Sequence, residues 1–121
     1  MSRATRILLV DDEALVLSSL RRLLLRAGFE VGTASSGPEA LSLLGREGFD
    51  LILSDFMMPG MNGVEFLRQA AALRPETVRC MLTAQADRET LDRALAEGVC
   101  KRAFRKPWDN GALVEELRAL L

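Results

Sequence analysis

Five short runs rich in β-formers alternate along this chain with five longer stretches of helical period, and no other feature restricts its possible folds so sharply. Ile7 to Val10, Phe29 to Thr33, Leu51 to Ser54, Val78 to Leu82 and Arg102 to Arg105 read as strands. Helices are expected near residues 13–27, 37–47, 63–73, 87–97 and 110–121. The punctuation agrees. Gly28 closes the first helix, Gly37 and Pro38 open the second with proline in its first turn, and Asn62 with Glu65 forms a capping-box pattern before the third. Leu91, Ala94, Leu95 and Gly98 mark one face of the fourth helix, while Leu113, Val114, Leu117, Leu120 and Leu121 give the fifth a broad apolar stripe.

Strands joined by crossover helices run parallel, and the right-handed crossover rule then leads to an α/β fold. The expected architecture is (βα)5, a doubly wound five-stranded parallel sheet of flavodoxin-like type, in the commonest order 2-1-3-4-5. In that order strands 1 and 3 flank the switch point, where a crevice opens at the carboxyl ends of the strands. A length of 121 residues suits one domain spanning 1–121, large enough to bury a core without metal or disulfide staples. The chain ends inside its last predicted helix, so it reads as free-standing or as cut from a larger protein.

What is missing narrows the chemistry. With no histidine, Ser-His-Asp and Cys-His catalysis, His-ligated zinc and an internal phosphohistidine relay are all excluded. Sixteen basic residues against 17 acidic ones leave a net charge of −1, so no global charge recruits nucleic acid or a membrane. Cys80 and Cys100 match no metal-ligand spacing and are expected to be reduced thiols rather than a disulfide. No apolar run is long enough for a spanning helix or a signal-peptide core, and a cytoplasmic location is expected.

The residues that follow the apolar runs are Asp11 and Asp12 after strand 1, Asp55 after strand 3, Thr83 after strand 4 and Lys106 after strand 5. Adjacent strands lie about 4.8 Å apart, so these groups converge on one edge. Carboxylates crowded in one crevice repel unless a cation neutralises them. Oxygen-only ligands on an open edge suit Mg²⁺ better than Ca²⁺, which prefers a fuller oxygen cage. Lys106 then serves as a fixed cation and Thr83 as a hydroxyl donor, both aimed at something anionic. Metal, lysine, donor and in-line nucleophile together are what phosphoryl transfer requires.

The segments VDDE at 10–13, DFMMPGMNG at 55–63, TA at 83–84 and KPW at 106–108 resemble the receiver domain of bacterial response regulators, over nearly the whole chain from Ile7 to Leu121. The resemblance implies that Asp55 accepts a phosphoryl group from a partner sensor histidine kinase or phosphotransfer protein. It also implies that Asp12 is a direct Mg²⁺ ligand, Asp11 its water-bridged companion and Met57 a ligand through its carbonyl. Thr83 and Lys106 match positions that engage the phosphoryl group, and the Lys106-Pro107 bond is expected to be cis.

Signalling is expected through helix 4, strand 5 and helix 5, toward an output domain or protein, or toward a second receiver in a dimer, without direct contact to nucleic acid or membrane. Family members often carry an aromatic residue three before the lysine, where this chain has Ala103. Alternation turns Phe104 inward and sets Lys101, Ala103 and Arg105 on the other face, the expected partner strip. Met58 and Met61 are assigned to packing, as is the side chain of Met57; Phe56 and Gln85 are expected at the crevice, and Trp108 as a partly buried cap over the last helix. Two alternatives stay open: a degenerate receiver that only binds partners, and a small phosphohydrolase with Asp11 as nucleophile, Glu13 as helper acid and Asp55 as metal ligand.

Overall fold

The computed structural model describes residues 4–84 and 87–121. Its strands are β1 (Arg6–Val10), β2 (Glu30–Ala34), β3 (Leu51–Ser54), β4 (Val78–Thr83) and β5 (Arg102–Arg105). The helices are α1 (Ala14–Arg26), α2 (Gly37–Arg46), α3 (Gly63–Leu73), α4 (Arg88–Ala96) and α5 (Asn110–Leu120). All strand pairs are parallel, in the order β2-β1-β3-β4-β5. Fold class and strand order therefore match expectation, and element ends differ from it by at most one residue.

Strand alternation builds two cores, one on each face of the sheet. Leu8, Val10, Ile52 and Met81 pack with Ala40 and Leu44 of α2, Phe66, Leu67 and Ala70 of α3 and Ala94 of α4. Ile7, Leu9, Leu51, Leu53, Leu82 and Phe104 face the other way, onto Leu20 and Leu24 of α1 and Leu113 and Leu117 of α5. β1 and β3 are buried on both faces and so read as continuous apolar runs. Each fully buried aliphatic side chain contributes roughly 1.5–3 kcal/mol, which makes this central strand pair the rigid base of the crevice.

The predicted helix signals form as hydrogen bonds. The Asn62 side chain accepts from the Glu65 backbone N–H while Glu65 accepts from that of Asn62, a complete capping box. Asp87 and Asp109 cap α4 and α5 one way only, accepting from the Thr90 and Ala112 backbone N–H groups. Gly28 takes φ +97° just after α1, the left-handed turn that glycine permits without strain.

Two apolar stripes are narrower than predicted. Leu95 is 38% exposed and Ala94 is the one buried residue of α4, because this short helix touches the sheet along a single line. Leu121 lies past the end of α5 and is half exposed. Both cysteines are buried free thiols, and burial pushes the Cys80 thiol up to about 12. Among the described residues no helix is long and apolar enough to cross a membrane.

Candidate functional site

The backbone ladder runs one step past several strand ends and places the functional residues directly. Asp11 N–H donates to the Ala34 carbonyl (3.2 Å), Asp55 N–H to the Val10 carbonyl (2.8 Å) and Lys106 N–H to the Thr83 carbonyl (3.2 Å). Each side chain thus projects from a paired backbone rather than from a free loop. The result is a crevice of about 270 Å³ lined by Asp12, Glu13, Asp55, Met57, Thr83, Ala84 and Lys106. A groove of about 420 Å³ between α1 and the Pro107–Trp108 corner is larger, but no carboxylate lines it.

Carboxylate oxygens of Asp11, Asp12 and Asp55 lie within 4.8 Å of one another. Asp11 is 3% exposed and Asp55 5%, while Asp12 is exposed. Asp11 Oδ1 accepts from the Glu13 N–H (2.9 Å) and its Oδ2 from Lys106 Nζ (2.7 Å). Asp55 Oδ1 accepts from the Phe56 N–H (2.8 Å), and Asp55 Oδ2 stands 3.4 Å from Lys106 Nζ. Burial and the neighbouring Asp11 charge raise the Asp55 pKa against the pull of Lys106. Burial alone would lower the Lys106 pKa, but the hydrogen bond and charge of Asp11, followed by Asp55, raise it, so the ammonium stays charged.

These carboxylates suit a hard divalent cation. They offer only oxygen, they are crowded, and burial together with the Asp11 charge raises the pKa of one of them. Both oxygens of Asp11 are engaged by donors, which leaves it poorly disposed as the nucleophile of a phosphohydrolase, and its expected helper acid Glu13 is 63% exposed along its side chain.

All predicted site residues gather at this edge: Asp11, Asp12, Asp55, Thr83 and Lys106 with Met57 at the lip. The Lys106-Pro107 bond is cis, as expected. Four expectations need correction or limits. The Met57 side chain is 53% exposed, whereas Met58 is buried and Met61 packs against Gly37. Phe56 packs partly buried against the core cluster that includes α2 and α3 and is absent from the crevice lining, and Gln85 lies outside the described residues.

Ala103 packs partly against the α4-side core, so of the expected outer strip only Lys101 and Arg105 are exposed. Phe104 is buried as predicted, and Trp108 caps the start of α5 with its Nε1 donating to Asn110 Oδ1 (2.9 Å). Sequence reasoning missed the contact of Glu13 with Lys106 (3.6 Å) and the hydrogen bond of the buried Ser54 hydroxyl to the Asp55 carbonyl (2.9 Å), whose one signal is a hydroxyl ending the otherwise apolar run LILS.

Fold and crevice together define a class: a doubly wound α/β domain whose switch point carries an acidic cluster beside a fixed lysine. The family model of the response regulator receiver domain matches residues 7–118, and the chain belongs to that family, the receivers of two-component systems. Receiver domains of this family bind Mg²⁺ at an acidic pocket and act as signalling switches.

The chain is 38% identical over 112 residues to the hydrogenase transcriptional regulatory protein HoxA of Cupriavidus necator, covering 93% of this chain and 23% of that protein. It is 41% identical over 119 residues to the transcriptional regulatory protein CpxR of Escherichia coli, covering 96% and 49%. It therefore spans half or less of these relatives. A receiver domain protein of CheY-like type from Methanospirillum hungatei superposes with TM-score 0.92 at 33% identity, over 98% of this chain and 94% of that one.

Proposed function

We propose that Asp55 is the phosphoacceptor of this receiver and takes its phosphoryl group from the phosphohistidine of a sensor histidine kinase or phosphotransfer protein. One observation carries the reading: Asp55 Oδ1 is tied down by the Phe56 N–H, while Oδ2 stands at the crevice 3.4 Å from the Lys106 ammonium. A carboxylate oxygen of Asp55 attacks the phosphorus in line and the bond from phosphorus to the imidazole nitrogen breaks. The electron pair returns to the ring, which carries a proton on its other nitrogen and leaves neutral. Lys106 offsets the growing charge and the Thr83 hydroxyl donates to a phosphoryl oxygen.

Asp11, Asp12, Asp55 and the Met57 carbonyl would hold Mg²⁺, which when bound neutralises phosphoryl oxygens during transfer. Asp55 is later regenerated when water attacks the phosphorus and inorganic phosphate departs. The acyl phosphate adds charge and acceptor oxygens beside Thr83 and biases the face made by α4, β5 and α5 toward an output domain or a second receiver. The domain handles only its own phosphorylation and dephosphorylation.

Intact-mass analysis after incubation with acetyl phosphate tests this reading. A single Mg²⁺-dependent phosphoryl adduct on the wild type, lost in Asp55→Asn, is expected. An adduct that persists in Asp55→Asn, or none on the wild type with either acetyl phosphate or a phosphorylated kinase, refutes it.

A further inference from the structure

Ser54 is the one polar residue of β3 and is 0% exposed, among strands that otherwise bury only carbon and sulfur at this level. Its hydroxyl donates to the Asp55 carbonyl oxygen (2.9 Å). That carbonyl lies one residue past the last paired residue of β3, and among the described residues the donor seen on it is the Ser54 hydroxyl. A peptide group is rigid and trans, so its C=O and N–H point opposite ways and turn together. The peptide in question joins Asp55 to Phe56, and its N–H end donates to Asp55 Oδ1 (2.8 Å).

The Ser54 hydroxyl and the Asp55 carboxylate therefore grip opposite ends of one plane. Gly63 closes the remaining side: a Cβ there would lie 2.3 Å from the Asp55 carbonyl oxygen, and its N–H donates to the Phe56 carbonyl (2.8 Å).

Resting on the reading of Asp55 as phosphoacceptor, we propose that Ser54 is a positioning residue: it locks the Asp55–Phe56 peptide so that Oδ1 is held and Oδ2 faces Lys106. Without the hydroxyl the buried carbonyl has lost its donor, and the peptide turns to find another. The N–H then leaves Oδ1 and the carboxylate loses its fixed aim, though neither metal ligand nor lysine has been altered. Misplacing a nucleophile in this way slows transfer without abolishing it.

The matched control is Thr77, a buried hydroxyl that donates to the Phe49 carbonyl (2.9 Å) just before β4, at the sheet edge opposite the crevice. Ser54→Ala, Ser54→Thr and Thr77→Val are compared at saturating Mg²⁺ for the rate of adduct formation with acetyl phosphate. They are also compared without Mg²⁺ for the amide shift of Phe56 by NMR. Ser54→Ala is expected to slow adduct formation about tenfold and to move the Phe56 amide upfield. Ser54→Thr restores both readouts, and Thr77→Val leaves both unchanged although it loses stability. Should Ser54→Ala not fold, Ser54→Cys, with a weaker donor of similar size, carries the same comparison.

A Ser54→Ala rate equal to wild type, an unmoved Phe56 amide, or equal slowing in Thr77→Val overturns the proposal. A wild type that takes no phosphoryl group refutes the phosphoacceptor reading and the positioning role together, and is distinguished by failing before any variant is compared.

Discussion

Lys106 reaches Asp11 before it reaches Asp55: its ammonium stands 2.7 Å from Asp11 Oδ2 and 3.4 Å from Asp55 Oδ2. At rest the lysine is a counter-ion to Asp11 first and to Asp55 second.

Removing that ammonium leaves two buried carboxylates uncompensated, so Lys106→Met should lower stability on the order of 2 kcal/mol, less than a sealed ion pair because the crevice admits solvent. Millimolar Mg²⁺ should then raise the Tm of Lys106→Met more than that of the wild type, since no ammonium competes for Asp11. Equal Mg²⁺ shifts in the two proteins would contradict this competition.

Asp55 has a folded-state pKa raised above 3.8 by burial and by Asp11. Its contribution is favourable below that unfolded value and is lost as pH rises through the folded one, leaving a strained carboxylate at neutral pH. Asp55→Asn should therefore stabilise the Mg²⁺-free protein at pH 7 by on the order of 1 kcal/mol. The gain should shrink as pH falls toward the unfolded value, which thermal unfolding across a pH series would show. A gain that stayed constant with pH would point to packing instead.

Two effects oppose each other at Gly63. Alanine is favoured over glycine in a helix by up to about 1 kcal/mol, but its Cβ would sit 2.3 Å from the Asp55 carbonyl oxygen, which is backbone and cannot swing aside. The clash wins, so Gly63→Ala should cost about 2–3 kcal/mol, read as a lower urea midpoint, and should slow adduct formation as well. Gly45→Ala, where a Cβ meets nothing within 4 Å, should cost no stability and serves as the reference.

Much of this site was legible in the sequence because a parallel sheet turns order along the chain into position in space. Once the alternation predicts the sheet, the residues after each apolar run fall on one edge, which is how Asp11, Asp12, Asp55, Thr83 and Lys106 could be gathered before any coordinates. What escaped depends on contacts between elements. Nothing in the spacing tells Lys106 to prefer Asp11, turns Phe56 onto the core, or limits α4 to burying Ala94 while Leu95 stays at the surface. Ser54 was passed over because one small hydroxyl in an apolar strand alters neither period nor composition.

Arg79 fastens the far end of α4. Its guanidinium donates to the carbonyls of Val99 (3.0 Å), Gly98 (3.2 Å) and Thr77 (3.2 Å), and Arg68 pairs with Glu97 at the same corner. Arg79→Met keeps most of the stem but loses these bonds, at a cost of about 1–2 kcal/mol. Hydrogen exchange should speed up at the Gly98 and Val99 amides while adduct formation stays within about twofold of wild type. Unchanged exchange there would mean that the arginine does not hold this corner.

The single buried residue of α4 gives the molecule an uneven mechanical character. Displacing α3 would uncover Phe66, Leu67 and Ala70, whereas displacing α4 would uncover Ala94 and the half-buried Leu91. The helix just beyond Thr83 is thus held by fewer buried side chains than the helix that begins at Gly63 against Asp55. On the two sides of Asp55 the sheet is therefore covered unequally, by a well-buried α3 and by a lightly buried α4 whose far corner Arg79 pins.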